Sequence, residues 1–152
     1  GGAVSGHIRL DKTGISVEER CSGWAIDRRI REACAGSPRS KLAELTRGMR
    51  RGEAAQLVAA LAADDLVAKQ ILAETAGDLA FGLSHVVHLF HPEVIVLGGG
   101  VSLLGEPLRV EVSKALSGFI MEAFHPGPQV KLAGLSEDAV PVGALKLAGL
   151  AR

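Results

Sequence analysis

A chain of 152 residues with 47% hydrophobic side chains has enough apolar material for one domain with its own core, which excludes a disordered segment. Its 17 basic and 17 acidic residues cancel, so it lacks the positive surplus that a general affinity for nucleic acid requires. Aromatic residues make up only 3%, with a single Trp at Trp24 and no Tyr, so the core must be aliphatic.

The opening run Gly1-Gly2-Ala3-Val4-Ser5-Gly6 has no initiator Met and no targeting pattern, and reads as a chain cut from something longer. His7 to Leu10 alternates polar and apolar residues, which predicts the end of a strand before the turn residues Asp11-Lys12-Thr13-Gly14. Trp24, Ile26, Ile30 and Cys34 give helical spacing over 24–35, stopped by Gly36-Ser37-Pro38. A short helix is expected over 37–47, with Leu42 and Leu45 on one side, and another from Gly52-Glu53 through Leu57, Val58 and Leu61. The two cysteines, Cys21 and Cys34, form no close pair and read as reduced thiols, as expected in the cytoplasm.

Asp64-Asp65 is a good helix start, because a carboxylate there satisfies free N–H groups and faces the positive end of the helix dipole. From Leu66 to Phe90 only Gly77 and Gly82 interrupt the helical recurrence of Val67, Ile71, Leu79, Leu83, Val86 and Phe90. A helix of that length, about 40 Å, crosses a whole domain. His91-Pro92 ends it, and Val94-Ile95-Val96-Leu97 reads as a strand buried on both faces, as in a parallel sheet. Gly98-Gly99-Gly100 follows at once. A second helix is expected over 105–119, with Leu108, Val112, Leu116 and Phe119 on one face, then a short strand over 129–132 and a closing helix over 139–150. The order indicates an α/β layered domain.

The glycine run between strand and helix has two readings. Glycines let the backbone take positive φ and approach a ligand closely, beyond the C-terminal end of a strand where ligands bind in open sheets. They also make a tight strand-to-helix turn. The run matches neither G-x-x-x-x-G-K-[ST] nor G-x-G-x-x-G, so neither a P-loop nor a dinucleotide fingerprint is present. His85, His88 and His91 fall at helical intervals that could suit a metal, but they read as helix-end packing or capping. The clusters Arg28-Arg29, Arg31 and Arg47, Arg50, Arg51 read as solvated helix faces.

From Gly77 to Gly105, the segment containing HLFHPEVIVLGGGVSLLGE closely resembles the ROK family (repressors, open reading frames and kinases) of the actin-like ATPase superfamily. The resemblance continues through GEPLRVEVSKAL and LSEDAVPVGALKLA, and at the front through SGHI and VEERCSGWAI, so it touches nearly the whole chain in order. It implies the C-terminal ATPase domain of the actin-like (ribonuclease H-like) superfamily, a mixed sheet flanked by long helices. On this reading residues 1–152 are the C-terminal half of a sugar-kinase domain, and the family's general-base Asp and first phosphate motif lie in a half not included here.

The resemblance implies ATP and Mg2+ as cofactors of the full-length protein, a hexose or N-acetylhexosamine as substrate, and a homodimer. By the same resemblance Gly98, Gly99, Gly100 and Val101 lie against the nucleotide, while His7 and Glu18 contact the sugar, with Glu19 taking that place under a one-residue shift. No catalytic residue falls in the chain, so the fragment alone is expected to be inactive. Two alternatives stay open: a sugar-responsive transcriptional regulator of the same family, and a non-catalytic domain that only binds or assembles. Val4 stands where the motif has Glu, and the stretch 11–17 lacks the family's zinc cysteines. A structural zinc needs four N or S ligands, so no structural zinc is expected. Metal analysis of the purified protein checks this: about one zinc per chain, removed by chelator with loss of structure, would contradict it.

Overall fold

The computed structural model describes residues 3–4, 23–98, 102, 104–133 and 145–148. Among these residues five α-helices, α1 (Gly23–Gly36), α2 (Lys41–Thr46), α3 (Ala54–Ala62), α4 (Leu66–Phe90) and α5 (Gly105–Phe119), accompany four strands, β1 (Ala3–Val4), β2 (Val94–Leu97), β3 (Gln129–Leu132) and β4 (Leu145–Ala148). The strands form one sheet in the order β1-β4-β2-β3. β2 runs parallel to β3, with Ile95 opposite Val130, and antiparallel to β4, with Ile95 opposite Leu147.

The helices start and stop where side chains satisfy their free backbone groups. Asp65 caps α4 by accepting from the Ala68 amide at 3.2 Å, and the same carboxylate oxygen accepts from the Leu42 amide of α2 at 3.3 Å. Ser40 caps α2 by accepting from the Ala43 amide, so α2 begins later than the expected 37. The start of α3 is capped from another helix: Asp27 of α1 accepts from the amides of Gly52 and Ala54 at 3.1 and 2.7 Å. α4 ends at His91, whose left-handed φ of 50° turns the chain out of the helix, and the His91 amide donates to the Val87 carbonyl.

The core is aliphatic, as the composition requires. α4 supplies Ile71, Leu79, Leu83 and Val86; α5 supplies Leu108, Val112 and Leu116; Ile26 and Ile30 come from α1, and Ile95 and Leu97 from β2. Three of the expected apolar positions are not inside: Val58 of α3 is 39% exposed, and Phe90 and Phe119 are 52% and 44% exposed at the ends of α4 and α5. Phe119 packs edge-on to Phe81 with ring centroids 5.4 Å apart.

Two corrections concern the sheet. The closing helix expected over 139–150 is not formed at 145–148, which instead is strand β4. Local apolar spacing favours a helix there, but β4 lies between β1 and β2 and pairs with both, and that pairing overrides a weak helical preference. The apolar run of β2 predicts burial on both faces of a parallel sheet. Its burial instead alternates, with Ile95 and Leu97 inside and Val94 and Val96 half-buried, and one of its neighbours is antiparallel. The strand expected to end over His7–Leu10 lies outside the described residues.

Two glycines test how tightly the backbone is specified. A Cβ at Gly77, inside α4, would meet nothing within 4 Å, whereas a Cβ at Gly127, where φ is +78°, would lie 2.6 Å from Ile120 Cδ1. Gly77→Ala should stabilise by about 0.5–1 kcal/mol through helix propensity. Gly127→Ala should destabilise by about 1–2 kcal/mol, chiefly through the disfavoured φ, since the Ile120 methyl can move aside. Urea unfolding of both variants reads the opposite signs.

Candidate functional site

β2 carries the chain from the end of α4 into the middle of the sheet, and Gly98 follows its last residue directly. Gly98 is buried. On one side the sheet continues past it, since the Ala133 amide donates to the Leu97 carbonyl at 2.8 Å; on the other, Leu97 pairs with Leu145. Beyond the glycines, Leu104 is 1% exposed and anchors the start of α5 in the core. Gly105 takes φ +70°, which permits the chain to turn into that helix. Arg109 then ties α5 to the sheet: its Nε donates to both Glu106 oxygens at 2.7 and 2.8 Å, and its Nη1 reaches the Val130 carbonyl of β3 at 3.5 Å. The Arg109 guanidinium holds the Glu106 carboxyl below its usual range.

Of the residues expected to bind, only Gly98 falls among those described. Gly99, Gly100 and Val101 of the nucleotide set, and His7 and Glu18 of the sugar set, lie outside them, as do Glu19 and Cys21. The three histidines are engaged in packing. His88 Nε2 accepts from the Met121 amide at 3.1 Å, His91 packs edge-on to Phe124 with centroids 4.5 Å apart, and His85 packs against Phe81. Among the described residues no group of three or more His, Cys, Asp and Glu side chains could hold a metal.

Five of the six clustered arginines, Arg28, Arg31, Arg47, Arg50 and Arg51, are exposed, as a solvated face requires; Arg29 alone is half-buried. Arg29 reaches from α1 to α4, donating to Thr75 Oγ1 at 3.3 Å and pairing with Asp78. Arg31 donates from Nε and Nη2 to the two oxygens of Glu53 at 2.7 and 3.1 Å, and to the Arg50 carbonyl at 2.6 Å. Glu53 is 1% exposed, and Arg31 is the main group that holds its charge inside. The sequence conceals this pair because its members stand 22 positions apart; a lone acid opening an otherwise apolar helix is the one local sign of it.

Comparison with known proteins decides the family. The ROK family model matches residues 6–150. The chain belongs to the ROK family. It is 28% identical over 154 residues to a glucokinase of Thermotoga maritima, covering 96% of this chain and 49% of that one. Among solved structures it resembles a ROK family glucokinase of Streptomyces griseus in complex with glucose and AMPPNP, with a TM-score of 0.71 and 26% identity over 86% of this chain and 46% of that one. It also shares its fold with a ROK family transcriptional regulator, a homologue of the E. coli MLC protein, at a TM-score of 0.66 and 22% identity, covering 84% of this chain and 33% of that one. The ROK chain described here thus spans about half the length, or less, of these relatives. Its fold is that of the ROK sugar kinases, with the actin-like ATPase architecture. No helix among the described residues is long and apolar enough to cross a membrane.

The pairing of buried Glu53 with the half-exposed Arg31 gives a pH dependence. Hydrogen bonding from Arg31 lowers the Glu53 carboxyl below its ordinary 4.5, against the opposing effect of burial. A carboxyl lowered in the folded state adds stability that is fully present above the unfolded value and is lost as pH falls through the folded value. Stability should therefore decline as pH drops below about 4.5. Glu53→Gln should unfold at lower urea than the parent at neutral pH, and the gap should narrow in acid. A gap independent of pH would contradict this assignment.

Proposed function

We propose that this chain is the nucleotide-side half of an ATP-dependent hexose or N-acetylhexosamine kinase, and that the transfer itself requires residues beyond it. The observation that carries the reading is the placement of Gly98: a buried glycine at the C-terminal end of a central strand, opening a glycine run that leads into α5. A run without side chains lets the backbone meet a nucleotide at van der Waals distance. The glucokinase of Streptomyces griseus, whose fold it shares, was captured with glucose and AMPPNP. In this assignment Gly98, Gly99, Gly100 and Val101 line the nucleotide, and His7 and Glu18 face the sugar. Mg2+ belongs with the nucleotide, and no described residue is assigned to it. A phosphoryl transfer of this kind works by positioning, a base and metal-bound phosphates, so the half without the base is inactive alone. The full-length protein is proposed to work in the cytoplasm as a homodimer and without zinc.

Val4 in the place of a Glu, and the missing cysteines, favour a second reading in which the domain binds ligands without turning them over. Glucose phosphorylation by the full-length protein separates the two readings. For the nucleotide assignment, Gly99→Val in the full-length protein should weaken AMPPNP binding at least tenfold by calorimetry, equivalent to about 1.4 kcal/mol. The thermal midpoint should stay close to that of the parent. Unchanged AMPPNP affinity would reduce the glycine run to a turn and sink the assignment.

A further inference from the structure

A cleft of about 340 Å3 opens between α1 and α2, away from the glycine run: none of its lining residues comes from β2, and Gly98 is not among them. That volume falls at the lower end of the range typical of small-molecule sites. Its walls are apolar and include Pro38, Ala43 and Met49. Its polar groups are unequal. Glu53 lines it, but both carboxylate oxygens are taken by Arg31. Thr46 is 9% exposed and donates its hydroxyl proton to the Leu42 carbonyl at 2.8 Å, so its oxygen is left as an acceptor beside the Cys34 thiol at 3.9 Å.

Arg47 is different. Its guanidinium is exposed at the cleft and has no hydrogen-bond or ion-pair partner among the described residues. Arg31 adds a second guanidinium, whose Nη1 donates to none of the described residues. The lining holds two arginines against one carboxylate; Asp27 acts on Arg31 from outside the lining, which leaves Arg47 as the uncompensated charge. A planar guanidinium with unused donors suits a carboxylate or phosphate, and the apolar walls suit a ring or chain attached to it.

We infer that this cleft is a second ligand site, which takes a small anion carrying an apolar or aromatic body. It does not depend on the kinase assignment, because the cleft is built entirely from α1, α2 and the segments beside them.

Phenyl phosphate serves as the probe, with inorganic phosphate supplying the charge alone and phenol the body alone, each titrated into the intact protein by calorimetry. Phenyl phosphate should bind once per chain, at least tenfold more tightly than either part. Arg47→Glu should lower its affinity at least tenfold. Arg39→Glu, an exposed arginine outside the lining, should leave it within about twofold as the control for general charge. Ala43→Phe, which fills the cleft, should abolish binding with the far-ultraviolet circular dichroism unchanged; if it unfolds the protein, Arg47→Glu decides. Saturating AMPPNP should leave phenyl phosphate affinity unaltered. Equal losses in the two arginine variants, no loss in Arg47→Glu, or displacement by AMPPNP would each overturn the inference. Failure of AMPPNP to bind at all would count against the kinase assignment, and the arginine variants would then decide for or against the cleft on their own.

Discussion

α4 has to bury apolar residues along most of its length, and the rest of the domain is arranged to let it. A 25-residue helix with Ile71, Leu79, Leu83 and Val86 inside cannot be stable in water alone. α1, α3 and α5 all pack against it, α5 most extensively, while the chain leaving its C-terminus becomes β2, the strand that joins the sheet's parallel and antiparallel parts. The site follows from this. A helix that ends in a left-handed His91 starts β2 at a fixed place, and β2 in turn fixes where the glycine run begins.

Polar contacts refine an arrangement that burial establishes. Arg29 on Thr75 and Asp78 sets the rotation of α1 about α4, and Asp27 on the amides of Gly52 and Ala54 fixes where α3 starts. These contacts join segments 25 to 49 residues apart in sequence. Exposed pairs within one helix turn, such as Lys41 with Glu44, contribute little.

Much of this is legible in the sequence because it is local. The Asp65 cap, the helices over 66–90 and 105–119 and the strands over 94–97 and 129–132 all stand where spacing and capping residues put them. What escapes is what depends on distant partners. The residues 145–148 carry a pattern that suits a helix in isolation, and pairing with β1 on one side and β2 on the other makes them a strand. The Arg31–Glu53 pair and the cleft beside it are hidden for the same reason, since composition cannot say which arginine meets a buried acid and which stays free. The start of the glycine run is legible too, since the sequence places Gly98 at the strand end where the structure has it.

The Asp65 carboxylate couples two helices through one oxygen, which accepts from the Leu42 amide of α2 and the Ala68 amide of α4. Two helix beginnings therefore share one carboxylate besides the Ser40 cap of α2, and displacing that carboxylate releases a donor in each helix. The Leu42 and Ala68 amides should exchange with solvent deuterium as a correlated pair, through one opening event rather than two. The edge of the cleft next to α2 would then inherit its order from the far end of the long helix.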